Sequence, residues 1–162
     1  MVGQLVFVRH GVAESRSMTG RNETRVLTEN GRRKINRIAP GLQKLLDSSV
    51  SWRIMNSPLP RAAQTAALLA GKLKLTMVSM PALAEGDWTV VVRELSILSA
   101  NEGVILVGHQ PFLGEWSEIM SGFSLPFKKG AAAGYRIGGI SGEASLRWFV
   151  QPGELIRLGA EV

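Results

Sequence analysis

Up to about residue 122 the apolar positions alternate between short continuous runs and longer stretches of helical period. Leu5-Val6-Phe7-Val8 is such a run, the pattern of a strand buried on both faces, and it stops at Arg9-His10-Gly11. Val104-Ile105-Leu106-Val107 repeats the theme and stops at Gly108-His109-Gln110. Trp52 to Met55, ending at Asn56-Ser57, and Leu75 to Met80 predict two further strands. Thr28 is placed as the N-cap of a helix on which Ile35, Ile38, Leu42, Leu45 and Leu46 recur to about Asp47. Pro40 removes one backbone bond from it and is expected to bend or divide it near Asn36 to Ala39. Arg61 to Leu73 is alanine- and leucine-rich and helical, with Gly71 weakening its last turn. A loop over Pro81 to Asp87 precedes a helix over Trp88 to Ala100, and Pro111 opens a helix over Phe112 to Met120 that closes near Gly122.

From Phe123 the texture changes. Gly130 to Gly142 is rich in glycine and alanine, and Ala144 to Val150 alternates with Leu146, Trp148 and Val150 on one face, which predicts a β-hairpin. The tail after Pro152 reads as a further short element. Alternating strands and helices closed by a hairpin predict an α/β fold: a three-layer α/β/α sandwich whose mostly parallel central sheet carries an antiparallel edge hairpin. The pattern contains no repeat and no linker, so residues 1–162 are read as a single domain.

Composition narrows the function classes. Hydrophobic residues at 45% and charged residues at 20% exclude a disordered or fibrous chain. No apolar run approaches a membrane span and the N-terminus lacks a basic segment followed by a long apolar one, so the expectation is a cytoplasmic protein with no membrane partner. The absence of cysteine excludes disulfides, thiolate zinc sites and thiol nucleophiles. The formal net charge of +6 suits anionic partners. Nucleic acid is not expected, because Trp52, Trp88, Trp116 and Trp148 are scattered through structured segments instead of interleaving a basic patch. Two histidines on separate turns with no carboxylate cluster make an incomplete ligand set, so neither a metal nor a cofactor is expected.

Three strand-to-helix turns bring polar groups to the carboxyl edge of this sheet: Arg9-His10-Gly11, Ser57-Pro58-Leu59-Pro60-Arg61 and Gly108-His109-Gln110-Pro111. That edge is where open α/β sheets bind ligands, and the adjoining helix N-termini add unpaired N–H groups. Arg9 and Arg61 offer donor forks for equatorial phosphoryl oxygens. A neutral imidazole is a competent nucleophile, and a second, protonated one can donate to the oxyanion. Spacing alone leaves open which histidine takes which role. Gly11 permits close backbone approach, and Arg25 and Arg16 lie in the loop over Val12 to Val26 above the edge.

Arg9-His10-Gly11, Ser57-Pro58-x-x-Arg61-Ala62-x-Gln64-Thr65 and Val107-Gly108-His109-Gln110-Pro111 together resemble the histidine phosphatase superfamily, with its phosphoglycerate mutase-like fold. The short chain, Arg25-Val26-Leu27-Thr28-x-x-Gly31, the Gly130-Ala131 turn and the late Leu146-x-Trp148 strand look most like its small SixA-type branch, the phosphohistidine phosphatases. The resemblance implies that His10 is the nucleophile and forms a phosphohistidine. It implies that Arg9, Arg61 and His109 bind and stabilise the phosphoryl group, with Gly11 and Arg25 as further substrate-binding candidates. Asn22 stands where the branch commonly has an acidic residue three positions before the arginine matched by Arg25.

Leaving-group chemistry bears on substrate. An alkoxide needs a proton to depart, whereas a protonated phosphoramidate departs readily. Phosphoesterase members carry a loop acid for this, and SixA-type members generally lack one. Leu83-Ala84-Glu85-Gly86-Asp87 supplies Glu85 as a candidate proton donor, with Asp87 beside it. The leading expectation is a phosphatase acting on phosphohistidine in proteins. A small-molecule phosphomonoesterase using Glu85, or a non-catalytic phosphate-binding module, are the alternatives. The two-histidine phosphoesterases that act on RNA ends need His-x-Thr/Ser, which His10-Gly11-Val12 and His109-Gln110-Pro111 lack.

Overall fold

A computed structural model describes residues 1–16, 21–138 and 143–161. Six strands, β1 (Gln4–Arg9), β2 (Ser51–Asn56), β3 (Met77–Ser79), β4 (Glu102–Gly108), β5 (Ala132–Gly138) and β6 (Glu143–Val150), form one sheet in the order β3-β2-β4-β1-β5-β6. The β1, β2, β3 and β4 pairings are parallel, while β5 lies antiparallel to both β1 and β6. The helices are α1 (Glu29–Leu45), α2 (Pro60–Leu73), α3 (Ala82–Glu85), α4 (Trp88–Ser96), α5 (Phe112–Ser121) and α6 (Pro152–Ala160).

Two apolar layers sandwich the sheet. On one face Leu5, Phe7, Val104 and Leu106 pack against Leu83, Val91, Leu95, Leu113 and Trp116 of α3, α4 and α5. On the other, Val6, Val8, Ile105 and Val107 pack against Ile35, Ile38, Leu42, Ala66, Leu69 and Leu155 of α1, α2 and α6. The central strands therefore read as continuous apolar runs because both of their faces are covered. This is the three-layer α/β/α arrangement that the alternation predicts, with its antiparallel hairpin at one edge.

Several elements differ from the sequence expectation. Helix α1 runs unbroken through Pro40. Pro40 therefore does not divide it, and α6 packs against it so closely that a Cβ on Gly41 would lie 2.0 Å from the Leu155 carbonyl oxygen. Gly159 meets Gly41 from the other helix. The third strand shortens to Met77–Ser79 at the exposed sheet edge, Pro81 to Asp87 contains the single turn α3, and α4 stops at Ser96. In the hairpin, Gly134 pairs with Trp148 and Tyr135 with Leu146, leaving Arg147 as a bulge. One extra residue reverses the faces beyond it. Leu146 consequently joins the Phe7 layer while Trp148 and Val150 join the Ile38 layer, so these three do not share a face. The turn at 139–142, and Ser17, Thr19 and Gly20 of the first loop, lie outside the described residues.

The register sets up the site. Arg9 is level with Gly108 across the β1–β4 pair, and Asn56 with Val107 across the β2–β4 pair. Three parallel strands thus end in step, and the residues that follow them emerge side by side. Two further bonds carry the ladder past the strand ends, His10 N–H to the Gly108 carbonyl at 3.1 Å and Ser57 N–H to the Val107 carbonyl at 2.9 Å.

Candidate active site

His10 leaves β1 almost fully buried, at 4% exposure, and its ring centroid lies 5.2 Å from that of His109 at the end of β4. Its Nδ1 is 2.7 Å from the Gly11 carbonyl oxygen. A carbonyl only accepts, so Nδ1 carries the proton and Nε2 keeps its lone pair. Burial, together with the positive charge around His109, Arg61 and Arg9, lowers the His10 pKa from 6.5 to about 3, outweighing the Gly11 bond, which raises it. The ring is therefore neutral near pH 7. Gly11 donates its N–H to Thr65 Oγ1 at 3.0 Å, and Thr65 in turn donates to the Arg61 carbonyl at 2.7 Å. Both backbone groups of Gly11 are thus engaged within the protein.

His109 is pinned from the other side. Its Nε2 lies 2.7 Å from Ser57 Oγ, which accepts from the Leu59 N–H at 3.2 Å. A hydroxyl donates once and accepts twice, so Ser57 Oγ serves Nε2 in either tautomer of the ring and fixes its orientation. Burial and the Arg61, Arg9 and Arg25 guanidiniums push the His109 pKa down to about 4. Ser57, fully buried, is a site residue that the sequence reading quoted within a motif without giving it a role.

The arginines converge on the same pair of rings. Arg9 Nη1 donates to the Phe127 carbonyl at 2.8 Å, and Arg61, which opens α2, donates from Nη1 to the Asn22 carbonyl at 2.8 Å. Burial lowers the pKa of both, though guanidinium stays cationic at any ordinary pH. Arg9 Nε, Arg61 Nε and His109 Nδ1 are buried with no hydrogen-bond partner, as is the acceptor Asn56 Oδ1. Buried polar atoms are nearly always paired, and two unpaired guanidinium donors beside two imidazoles call for an oxyanion.

Of the remaining candidates, Arg25 is half-buried, donating from Nε to Asn22 Oδ1 at 3.0 Å and from Nη1 to the Glu14 carbonyl at 3.0 Å. Glu85 is exposed at the end of α3 and lines a groove with Met55, Val78, Met80 and Glu94 on the β3 side of the sheet. Asp87 caps α4, accepting from the Val90 N–H at 3.2 Å.

A parallel-stranded α/β sheet that presents two neutral imidazoles and two guanidiniums at its carboxyl edge defines a protein built to handle a phosphoryl-type anion. The chain belongs to the histidine phosphatase superfamily (branch 1), whose family description matches residues 5–95, and it is a phosphatase. It is 35% identical over 144 residues to an uncharacterized protein of Picosynechococcus sp., covering 83% of this chain and 86% of that one. Its fold is phosphoglycerate mutase-like. The protein histidine phosphatase SixA complexed with tungstate superposes with a TM-score of 0.73 at 21% identity, over 94% of this chain and 99% of that one. A phosphoserine phosphatase mutant from Entamoeba histolytica, complexed with phosphoserine, superposes at 0.63 and 15%, over 94% and 98%. Among the described residues, no helix is long and apolar enough to cross a membrane.

Proposed function

We propose that the protein hydrolyses a phosphoramidate, phosphohistidine borne on a protein, through a covalent intermediate on His10. The observation that carries this reading is the His10 Nδ1–H bond to the Gly11 carbonyl, which leaves an unprotonated Nε2 beside Arg9, Arg61 and His109. In the first step Nε2 attacks phosphorus, the P–N bond of the substrate breaks, and the departing imidazole leaves with the proton it already holds. Arg9, Arg61 and His109 stabilise the equatorial oxygens as charge shifts. Water then attacks the His10 phosphoryl group, forming orthophosphate and restoring the neutral ring.

The choice of phosphoramidate over phosphomonoester rests on the missing acid. Glu85 faces a separate groove and Asp87 is engaged at a helix cap, so neither supports protonation of an alkoxide. The test compares wild type and Glu85→Gln on phosphohistidine and on an alkyl phosphate. The expected result is efficient turnover of phosphohistidine, poor turnover of the ester, and no effect of the substitution on either. Efficient ester hydrolysis that collapses in Glu85→Gln overturns the assignment in favour of a phosphomonoesterase.

A further inference from the structure

At the mouth of the cup three arginines share one neutral residue. Asn22 Oδ1 accepts from Arg25 Nε at 3.0 Å and from Arg16 Nε at 3.4 Å, while the Asn22 carbonyl accepts from Arg61 Nη1 at 2.8 Å. These bonds fix the guanidiniums in place, but an amide carries no charge, so Asn22 itself neutralises none of them. The segment before β5 wraps Arg9: Phe127 accepts from its Nη1, Gly130 N–H donates to its carbonyl, and Ala131 N–H closes the turn on the Lys128 carbonyl. Lys129 stands exposed on this turn, within electrostatic range of Arg9 and Arg25. Glu23 is the carboxylate that opposes Arg61, and it too is exposed. The ion pairs Arg33–Glu29, Arg53–Glu102 and Arg157–Glu154 involve none of Arg16, Arg25 and Lys129.

Depth and charge divide the work between two levels. His10, Arg61 and His109 are only 4–6% exposed, so a phosphoryl group and the atom that bears it reach them while the rest of the carrier stays at the mouth. The mouth cations come from two segments that meet here, Arg16 and Arg25 from the one after β1 and Lys129 from the one before β5. A polypeptide with carboxylates beside its phosphorylated residue meets these cations once its phosphoryl group is seated. We propose that Arg16, Arg25 and Lys129 form a second anion-recognition position around the phosphoryl cup, which selects phosphorylated residues flanked by aspartate or glutamate. This rests on the cup being the phosphoryl site.

The test is calorimetric binding of peptides carrying a non-hydrolysable phosphotriazole analogue of phosphohistidine, with acidic or with amide flanks. The acidic peptide is expected to bind wild type about tenfold tighter, a few exposed charge pairs at up to about fivefold each. Lys129→Ala and Asn22→Asp each reduce that preference severalfold. The aspartate keeps both acceptor bonds of the hub and adds only a charge, so a purely geometric role for Asn22 leaves the preference unmoved. Lys72→Ala, the same loss of charge at the far end of α2, leaves it intact. Equal affinity for the two peptides, or a preference that survives both substitutions, overturns the proposal. Dependence on Lys129 found only with a small bisphosphorylated compound overturns the polypeptide source. Because the readout is binding of an inert analogue, a protein that shows the preference but hydrolyses no donor refutes the catalytic reading and leaves this one standing.

Discussion

Acidification between about pH 7 and about pH 5 tests the electrostatics of the cup without any substrate. The chain has only two histidines, and both are in the site. Their pKa values fall from 6.5 in the open chain to about 3 for His10 and about 4 for His109 in the fold. A group whose folded pKa is lowered in this direction takes up a proton on unfolding, so its stabilising contribution is full above 6.5 and drains away as pH falls toward the folded value. At about pH 5 the unfolded chain binds both protons and the native cup binds almost none. Each ring then costs about 2 kcal/mol relative to about pH 7, and the pair about 4 kcal/mol, a large part of the stability of an ordinary domain. Carboxylates titrate mostly below this window and contribute little to it. Urea unfolding at the two pH values, on wild type and on His10→Asn/His109→Asn, measures the difference. The wild type is expected to lose about 4 kcal/mol and the double variant to be nearly indifferent. Equal pH sensitivity in both proteins refutes the claim that the imidazoles are held neutral by burial and neighbouring cations.

His10→Ala is expected to lower phosphohistidine turnover by about a thousandfold or more, with the fold intact by circular dichroism. Ser57→Ala strips His109 Nε2 of its partner. It should lower kcat/KM by about ten- to a hundredfold, and the 15N chemical shift of His109 Nε2 should move as its bond to the hydroxyl is lost. Gly41→Ala puts a methyl group 2.0 Å from the Leu155 carbonyl, so α6 must move off α1. Urea titration should record about 1–3 kcal/mol of lost stability with little change in the affinity of the cup for inorganic phosphate.

The cup was legible in the sequence because its members are strand-terminal and local. Buried parallel strands announce themselves as apolar runs, and the residues after them, Arg9-His10, Ser57 and His109, necessarily surface at one edge when the strands end in step. What escaped the sequence depends on contacts between distant segments. Pro40 breaks a helix in isolation, yet α1 runs through it, with Gly159 of α6 packed on Gly41. The bulge at Arg147 arises from pairing with β5, and a strict alternation over Ala144 to Val150 has no way to signal it. Glu85 sits in a segment of suitable composition, yet the single turn of α3 carries it to the β3 side of the sheet. Asn22 and Lys129 look like ordinary polar loop residues until the fold sets one among three arginines and the other beside Arg9.

The most direct test is a single-turnover reaction with a 32P-phosphohistidine donor, quenched in alkali, where phosphohistidine survives, and mapped by mass spectrometry. The account predicts a transient, acid-labile phosphoryl group on Nε2 of His10 that forms before orthophosphate appears and decays with its release. Label on His109 instead, or orthophosphate released from a full single turnover with His10 never modified, contradicts it.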